Sequence, residues 1–272
     1  MGLAQKICCC STLDDRYIKG FVVFLKSLLT NNPWFNYSYC IFTNGELSKK
    51  NIDLITSIYS NIFIKKIDSK AYEGCTYCTK WRTWNINCIE RFDLFTLSDY
   101  DRVIFFDTDM FVKGDILDLF KEEADFGAVE LLPKNAVIDH PSKTQPWLKT
   151  FNGGLLSVSK KYLNNNTKQA LIDIAFSKVW SSDEPILNTF FTNEKTTFLP
   201  RKYNTLTAAI TEDIFDEAKV IHFVGNNKPW NTGGLTNQFD KFIITSTNNN
   251  MLLFKVSSMY QKMLNDINNI LK

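Results

Sequence analysis

Short apolar segments alternate with segments of helical spacing along the first part of this chain. Residues 6–10 (KICCC) and 38–43 (SYCIFT) have the composition of buried strands, and residues 17–29 between them place apolar side chains at helical spacing. A second helical pattern covers 48–60, and the alternating segment IFIKKID follows at 62–68. Strands that alternate with helices predict an α/β fold, namely a doubly wound and mostly parallel sheet flanked by helices.

The apolar run 102–106 (RVIFF) and the acidic residues after it are the strongest chemical signal. A predicted helix over about 79–98 precedes this run, whose near-continuous apolar character is the pattern of a central parallel strand. Asp107, Thr108 and Asp109 follow at its carboxyl end, where open α/β sheets bind their ligands. Because residues two apart in an extended chain point to the same side, the two carboxylates converge and can hold Mn²⁺ or Mg²⁺. An exposed acidic strand end is the ordinary alternative.

A second group of candidate residues lies in the segment VIHFVGNNKPW at 220–230. His222 belongs to a predicted strand, while Gly225 and Lys228 follow in a loop. A neutral imidazole can complete the ligands of a cation, and a lysine can place a point charge on a diphosphate. A core histidine and a solvated lysine are the ordinary alternatives.

Two further clusters could contact a ligand. Asn152 precedes Gly153 and Gly154, where the paired glycines allow the backbone to approach a bound molecule closely. Asp183 and Glu184 begin a predicted helix. These two acids either complement the helix dipole, as acidic residues in a first turn commonly do, or recognise sugar hydroxyls.

The remaining pattern completes the predicted fold. Strands are expected at 126–131 and 153–159, and a helix is expected near 166–180. The segment 251–272 has one apolar helical face, which predicts a terminal helix docked on the core; a homodimer contact and a membrane-surface helix are the alternatives. The residues of this face are Leu252, Val256, Met259, Tyr260, Met263, Ile267 and Ile270.

Charge and cysteine usage limit the classes of partner. The chain has 31 Lys and Arg against 29 Asp and Glu, so it lacks the basic excess that gathers nucleic acid or an anionic membrane. It contains no apolar run of the roughly 18 residues needed for a transmembrane helix. Seven cysteines, three of them adjacent, do not suit a disulfide framework. We therefore expect reduced thiols and a cytoplasmic location.

The ordered series of motifs resembles the glycogenin-like family 8 glycosyltransferases from about residue 6 to residue 231. The series consists of TLDDRYIKG, DYDRVIFFDTDMFV, FNGGLLSVS, DEPILNTFF and HFVGNNKPWN. The resemblance implies a GT-A fold with a Rossmann-like sheet, a catalytic domain over 1–231 and a C-terminal extension over 232–272 with its amphipathic helix packed on the domain. It also implies a retaining hexosyltransferase that uses Mn²⁺, or Mg²⁺, and a UDP-sugar donor, UDP-glucose or UDP-galactose, with a saccharide or protein-hydroxyl acceptor.

The resemblance also implies roles for individual residues. Asp107, Asp109 and His222 would be the metal ligands, and Lys228 with Gly225 would clamp the diphosphate. Tyr17 would stack on uracil, while Asn152 and Asp183 would hold the hydroxyls of the donor sugar. The other residues expected around the nucleotide-sugar are Ser11, Leu13, Asp14, Thr108, Gly153 and Gly154.

Several points stay open at this level. Counting back from the Asp107–Asp109 motif without a gap aligns the basic catalytic residue of the family with Arg91, whereas the local sequence 79–82 (TKWR) resembles the family motif better and points to Lys80. Eleven residues, about three helical turns, separate the two. Glu184 stands where the family often has Gln, which favours same-face attack by the acceptor over a covalent intermediate on Glu184. Trp147 in the loop 132–150 is a candidate acceptor contact. A binding protein that has kept the fold and lost catalysis is the alternative function.

Overall fold

The computed structural model describes residues 5–45, 47–75, 88–131, 149–192, 194–225, 228–230 and 250–270. Lys80 and most of the expected acceptor loop, including Trp147, lie outside these residues. Ten strands are present in the described part of the chain: β1 (Ile7–Thr12), β2 (Ser38–Thr43), β3 (Ile62–Lys66), β4 (Arg102–Phe106), β5 (Met110–Val112), β6 (Phe126–Leu131), β7 (Thr150–Ser159), β8 (Thr197–Leu199), β9 (Thr205–Leu206) and β10 (Val220–His222).

Six α-helices accompany these strands in the described ranges. They are α1 (Ile18–Asn31), α2 (Lys49–Ile58), α3 (Asn165–Phe176), α4 (Asp183–Phe190), α5 (Glu212–Glu217) and α6 (Asn250–Ile270). Short 3₁₀ helices cover Asp15–Tyr17, Ser69–Tyr72, Cys88–Thr96, Leu117–Lys121, Arg201–Tyr203 and Thr207–Ala209. The chain therefore has the α/β organisation that its pattern predicts.

Seven strands form the main sheet in the order β3-β2-β1-β4-β7-β6-β8. The pairs β3-β2, β2-β1, β1-β4 and β6-β8 are parallel, whereas β7 is antiparallel to both β4 and β6. The chain leaves β1 toward β2 on one side, and β4 returns on the other side. This reversal of strand order opens a crevice at the carboxyl ends of β1 and β4, which is where such sheets bind ligands.

A second, three-stranded sheet has the order β5-β10-β9. Strand β10 is antiparallel to β5, with His222 opposite Met110, and parallel to β9. Because β5 follows β4 after only three residues, the small sheet lies directly at the carboxyl end of the central strand.

Hydrophobic clusters cover both faces of the main sheet, and the three adjacent cysteines show how. Side chains alternate along a strand, so Cys9 joins one cluster while Cys8 and Cys10 join the other. These cysteines and Cys40 are buried free thiols. Burial raises the pKa of the Cys8 thiol to about 12. The thiols therefore belong to the core and lack the thiolate character that redox chemistry needs.

The segment before β4 differs from its prediction. Residues 88–96 form a 3₁₀ helix rather than an α-helix, and 76–87 lie outside the described residues. Ile89, Phe92 and Phe95 are all buried. A spacing of three residues matches the three residues per turn of a 3₁₀ helix, which keeps these side chains on one face.

Other element boundaries also differ, two of them by three residues or more. Strand β7 begins at Thr150, three residues before the predicted start. Helix α3 ends at Phe176, four residues before the predicted end, and the Trp180 Nε1–H donates to the Ile174 carbonyl oxygen at 2.9 Å. The Ile174 carbonyl oxygen also accepts from the Ser177 N–H, so the end of α3 is capped by both a backbone and an indole donor.

Helix α6 contacts α1 along the predicted apolar face. Leu252, Val256, Tyr260 and Ile267 are buried in the same cluster as the α1 side chains, and Met259 and Met263 pack against it. The Tyr260 hydroxyl donates to the Lys19 carbonyl oxygen at 3.2 Å. Among the described helices, none combines the length and apolar character that spanning a bilayer requires.

Candidate active site

The two sheets bring Asp107, Asp109 and His222 together. Asp107 directly follows β4, and Asp109 lies just before β5. The pairing of β10 with β5, with the Phe223 N–H donating to the Asp109 carbonyl oxygen at 2.9 Å, places His222 beside them. The His222 Nε2 atom lies 3.2 Å from Asp109 Oδ1 and 3.6 Å from Asp107 Oδ2.

This cluster has the donor atoms of a divalent-cation site. One atom from each of Asp107, Asp109 and His222 lies within 4.8 Å of the others. Two carboxylate oxygens and one imidazole nitrogen suit Mn²⁺. They suit Mg²⁺ less well, because Mg²⁺ prefers oxygen ligands. Burial alone would raise the pKa of Asp109, but the combined effect of Lys228 and His222 outweighs burial and holds that pKa well below its usual value. Asp109 is therefore ionised and able to ligate a cation.

The Lys228 side chain points toward Asp109 and away from solvent. Its ammonium group forms a short ion pair with Asp109 Oδ2 and donates to the Phe223 carbonyl oxygen at 2.8 Å. Only 8% of its side chain is exposed. Gly225, at the turn after β10, has a φ of +93°, which glycine adopts without strain. The interpretation of Lys228 as a solvated charge is thus wrong.

Arg91 joins the carboxylates of two separate motifs. Its Nε lies 2.6 Å from Asp183 Oδ2, and one terminal nitrogen lies 3.2 Å from Asp107 Oδ1. The other terminal nitrogen donates to the Gly153 carbonyl oxygen at 2.7 Å, and the guanidinium lies 4.8 Å from the centre of the Phe105 ring. Arg91 therefore links the Asp107 motif to the Asp183 motif and the Gly153 backbone.

Asn152 is hydrogen-bonded to Glu184 in the first turn of α4. The Asn152 Nδ2 donates to Glu184 Oε2 at 2.7 Å, and the Gly153 N–H donates to the same oxygen at 3.2 Å. Burial, assisted by the negative charge of Asp183, raises the pKa of the Glu184 carboxyl to about 8. Glu184 therefore holds its proton to an unusually high pH.

Gly154 lies very close to the His222 side chain, whereas the approach of a ligand to the paired glycines stays a prediction. A Cβ atom at Gly154 would lie 2.6 Å from the His222 Nδ1 atom and 2.9 Å from Asn152 Oδ1. The Gly154 carbonyl oxygen also accepts from the Asp107 N–H at 2.8 Å. The absence of a side chain thus lets the imidazole ring lie against β7.

The residues expected at the base site lie near the amino end of α1. Ser11 and Leu13 are buried, and the Ser11 hydroxyl donates to the Phe106 carbonyl oxygen at 2.6 Å. Asp14 accepts from the Arg16 N–H at 2.8 Å. Tyr17 is partly buried, and its ring centre lies 5.9 Å from that of Trp230 in an edge-on arrangement. The Tyr17 and Trp230 rings therefore offer the aromatic surface here.

Asn204 is a site residue that the sequence reasoning missed. It is 1% exposed, lies between the 3₁₀ helix Arg201–Tyr203 and β9, and bonds both His222 and Asn152. A single asparagine between an aromatic residue and a threonine carries no pattern. Only the pairing of β9 with β10 brings it to the histidine.

The fold and this cluster define the class of protein. The crystal structure of the galactosyltransferase LgtC in complex with donor and acceptor sugar analogues matches with a TM-score of 0.71 over 95% of both chains, at 15% sequence identity. The chain accordingly has the GT-A glycosyltransferase fold. The family model described as glycosyl transferase family 8 matches residues 8–234, so the chain belongs to that family.

Curated relatives have sugar-transfer functions in their names. The lipopolysaccharide 1,2-glucosyltransferase of Escherichia coli is 24% identical over 80% of this chain and 71% of its own length. Glycogenin-1 of Mus musculus is 23% identical over 81% of this chain and 64% of its own length. The match to glycogenin therefore leaves about a third of that protein uncovered.

Proposed function

We propose that this family 8 protein is a metal-dependent, retaining hexosyltransferase that uses UDP-glucose or UDP-galactose as donor. The acceptor is a hydroxyl of a saccharide or of a protein. The names of the relatives support both sugars, because one is a glucosyltransferase and the structural neighbour is a galactosyltransferase. The observation that carries the proposal is the convergence of Asp107, Asp109 and His222 beside two buried cations, Lys228 and Arg91.

Asp107, Asp109 and His222 would hold the cation. When bound, Mn²⁺ or Mg²⁺ supplies Lewis-acid stabilisation of the donor diphosphate. The Asp109 carboxylate now pairs with Lys228. Once that carboxylate serves as a ligand, the Lys228 ammonium can bind the diphosphate instead, and Arg91 lies across Asp107 on the other side. Both side chains would offset the negative charge that develops as UDP leaves.

The carboxyl groups near the sugar site argue for attack from the face that UDP leaves. Asp183 is paired with the Arg91 guanidinium, and Glu184 accepts hydrogen bonds from Asn152 and Gly153. A carboxyl group held in this way is a weak nucleophile. In the proposed step, the bond from the anomeric carbon to the phosphate oxygen breaks, the acceptor oxygen bonds to that carbon, and the leaving phosphate takes the acceptor proton.

The experiment that tests this function is a donor screen with and without a chelator. The purified protein is incubated with Mn²⁺ and each common UDP-sugar, and released UDP is measured. Metal-dependent cleavage of UDP-glucose or UDP-galactose supports the proposal. Binding of UDP without cleavage of any donor, even with an acceptor panel, would contradict it and favour the binding-protein alternative. Homodimer formation and the cytoplasmic location stay predictions.

A further inference from the structure

On the basis of the function proposed above, we infer that Asn204 is a positioning residue that fixes the His222 ring in the tautomer with its proton on Nδ1. That tautomer leaves the Nε2 lone pair for the cation. The contact that carries the inference is the 2.9 Å bond between His222 Nδ1 and Asn204 Oδ1. Both residues are buried, with His222 3% exposed and Asn204 1% exposed.

The donor and the acceptor of this bond can be assigned by starting from a backbone N–H group. The Gly154 backbone N–H can only donate, and it lies 3.0 Å from Asn152 Oδ1. That contact identifies the Asn152 oxygen, and the Asn152 Nδ2 faces the acceptor Glu184 Oε2. The Asn152 amide is therefore oriented by a backbone donor on one side and a carboxyl acceptor on the other.

The orientation of Asn152 then sets that of Asn204. Asn152 Oδ1 lies 2.9 Å from Asn204 Nδ2, and this position must be the amide nitrogen because two oxygens would repel each other there. Asn204 Oδ1 consequently faces His222. An oxygen without a hydrogen can only accept, so the Nδ1 atom of His222 must carry the proton.

The consequence lies on the opposite edge of the ring. With Nδ1 protonated, the neutral imidazole presents its Nε2 lone pair to Asp109 Oδ1 at 3.2 Å and Asp107 Oδ2 at 3.6 Å. A cation held by these three atoms would accept this lone pair and offset the negative charge of both carboxylates. The relay from Gly154 through Asn152 and Asn204 thus makes His222 a preorganised ligand, as partners behind metal-binding histidines generally do.

The first test reads the tautomer directly. The chain contains two histidines, His140 and His222, so long-range ¹H–¹⁵N spectra of the metal-free protein are simple to assign with a His140→Gln variant. For the neutral ring of His222 we expect a protonated Nδ1 and a bare Nε2. A neutral His222 protonated on Nε2 would overturn the inference. The tautomer is read from the wild-type chain, and the His140→Gln variant serves only to assign the two histidine signals.

The second test uses Mn²⁺ binding without nucleotide or turnover. Asn204→Ala should mix the two tautomers and raise the Mn²⁺ dissociation constant about 10- to 100-fold, the usual effect of losing such a partner. Asn204→Asp keeps an acceptor for the Nδ1 proton and should retain the wild-type tautomer, but it loses the donor to Asn152 Oδ1 and should therefore be less stable. Unchanged Mn²⁺ binding in folded Asn204→Ala would overturn the inference.

Asn32→Ala is the matched control. Asn32 is another fully buried asparagine that bridges backbone groups, donating to the Leu28 carbonyl oxygen and accepting from the Ile116 N–H. We expect this variant to lose stability without changing Mn²⁺ binding or the His222 spectrum.

The two tests also separate the inference from the proposed function. A wild-type protein that shows the Nδ1 tautomer but binds no Mn²⁺ would support the role of Asn204 while contradicting the metal-dependent function.

Discussion

At the scale of single residues, Asp109 contacts two of the groups proposed to act at the site, His222 and Lys228. It faces His222, pairs with Lys228 and is held by the Phe223 N–H through its carbonyl oxygen. Asp109→Asn keeps the shape of the side chain and removes its charge, so it should lower Mn²⁺-dependent turnover by more than about a thousandfold, or some 4 kcal/mol of barrier.

Asp118→Asn provides the control for that substitution. The Asp118 side chain is 72% exposed and pairs only with its neighbour Lys121 among the contacts described. It should keep wild-type turnover. Normal Mn²⁺-dependent activity in Asp109→Asn, measured as UDP release, would rule out the proposed metal site.

Glu184→Gln tests both the mechanism and the electrostatics of the site. Same-face attack needs no nucleophile at this position, so the variant should keep substantial transfer activity. A loss of more than about a thousandfold with intact donor binding, again some 4 kcal/mol of barrier, would instead favour a covalent intermediate.

The same variant should change how stability depends on pH. The folded-state pKa of Glu184 is raised from 4.5 to about 8, so the stability that its proton contributes is present at low pH and is lost as the pH rises through about 8. Glutamine has no such proton to lose. The unfolding temperature of Glu184→Gln should therefore rise relative to that of the wild type as the pH increases from 5 to 9. A difference between the two unfolding temperatures that does not change with pH would contradict the raised pKa.

At the scale of elements, α6 supports the segment that carries Lys228. The Gln261 Nε2 donates to the Pro229 carbonyl oxygen at 2.5 Å, and the ring centre of Tyr260 lies 6.0 Å from that of Trp230. Trp230 in turn contacts Tyr17. Helix α6 is thus joined by side chains to the proposed base and diphosphate sites, although it comes last in the chain.

We therefore expect Gln261→Ala to weaken UDP binding severalfold in the presence of Mn²⁺, because the Pro229 carbonyl oxygen loses its donor and the Lys228 segment is less well placed. Gln169→Ala is the matched control, since Gln169 bonds Asp173 on the exposed side of α3. Titration of both variants with UDP measures the effect. Equal affinities would show that α6 contributes to the core alone.

At the scale of the whole molecule, the proposed ligands would join the two sheets, because Asp107 follows the main sheet while His222 belongs to the small one. A ligand at 100 times its dissociation constant stabilises the folded state by about 2.7 kcal/mol. For a chain of this size, UDP with Mn²⁺ should thus raise the unfolding temperature by roughly 5 °C. In Asp109→Asn the Mn²⁺-dependent part should disappear, and an undiminished shift would place the cation elsewhere.

The sequence alone determined the alternation of strands and helices in the first part of the chain, the apolar faces and the identity of the main motif residues. These features are local, because a strand repeats every two residues and a helix every 3.6. Strand β4 and its two aspartates were predicted with their observed bounds, and so was β6. The apolar face of the last helix was also visible in the sequence and is confirmed by its contacts with α1.

The tertiary structure decided which distant residues meet. It placed Arg91 between Asp107 and Asp183, turned Lys228 inward onto Asp109, and brought Asn204 to His222. It also replaced part of a predicted α-helix with a 3₁₀ helix. Such contacts join residues that lie far apart in the chain, and they depend on strand order, register and packing, none of which leaves a periodic signal in a single sequence.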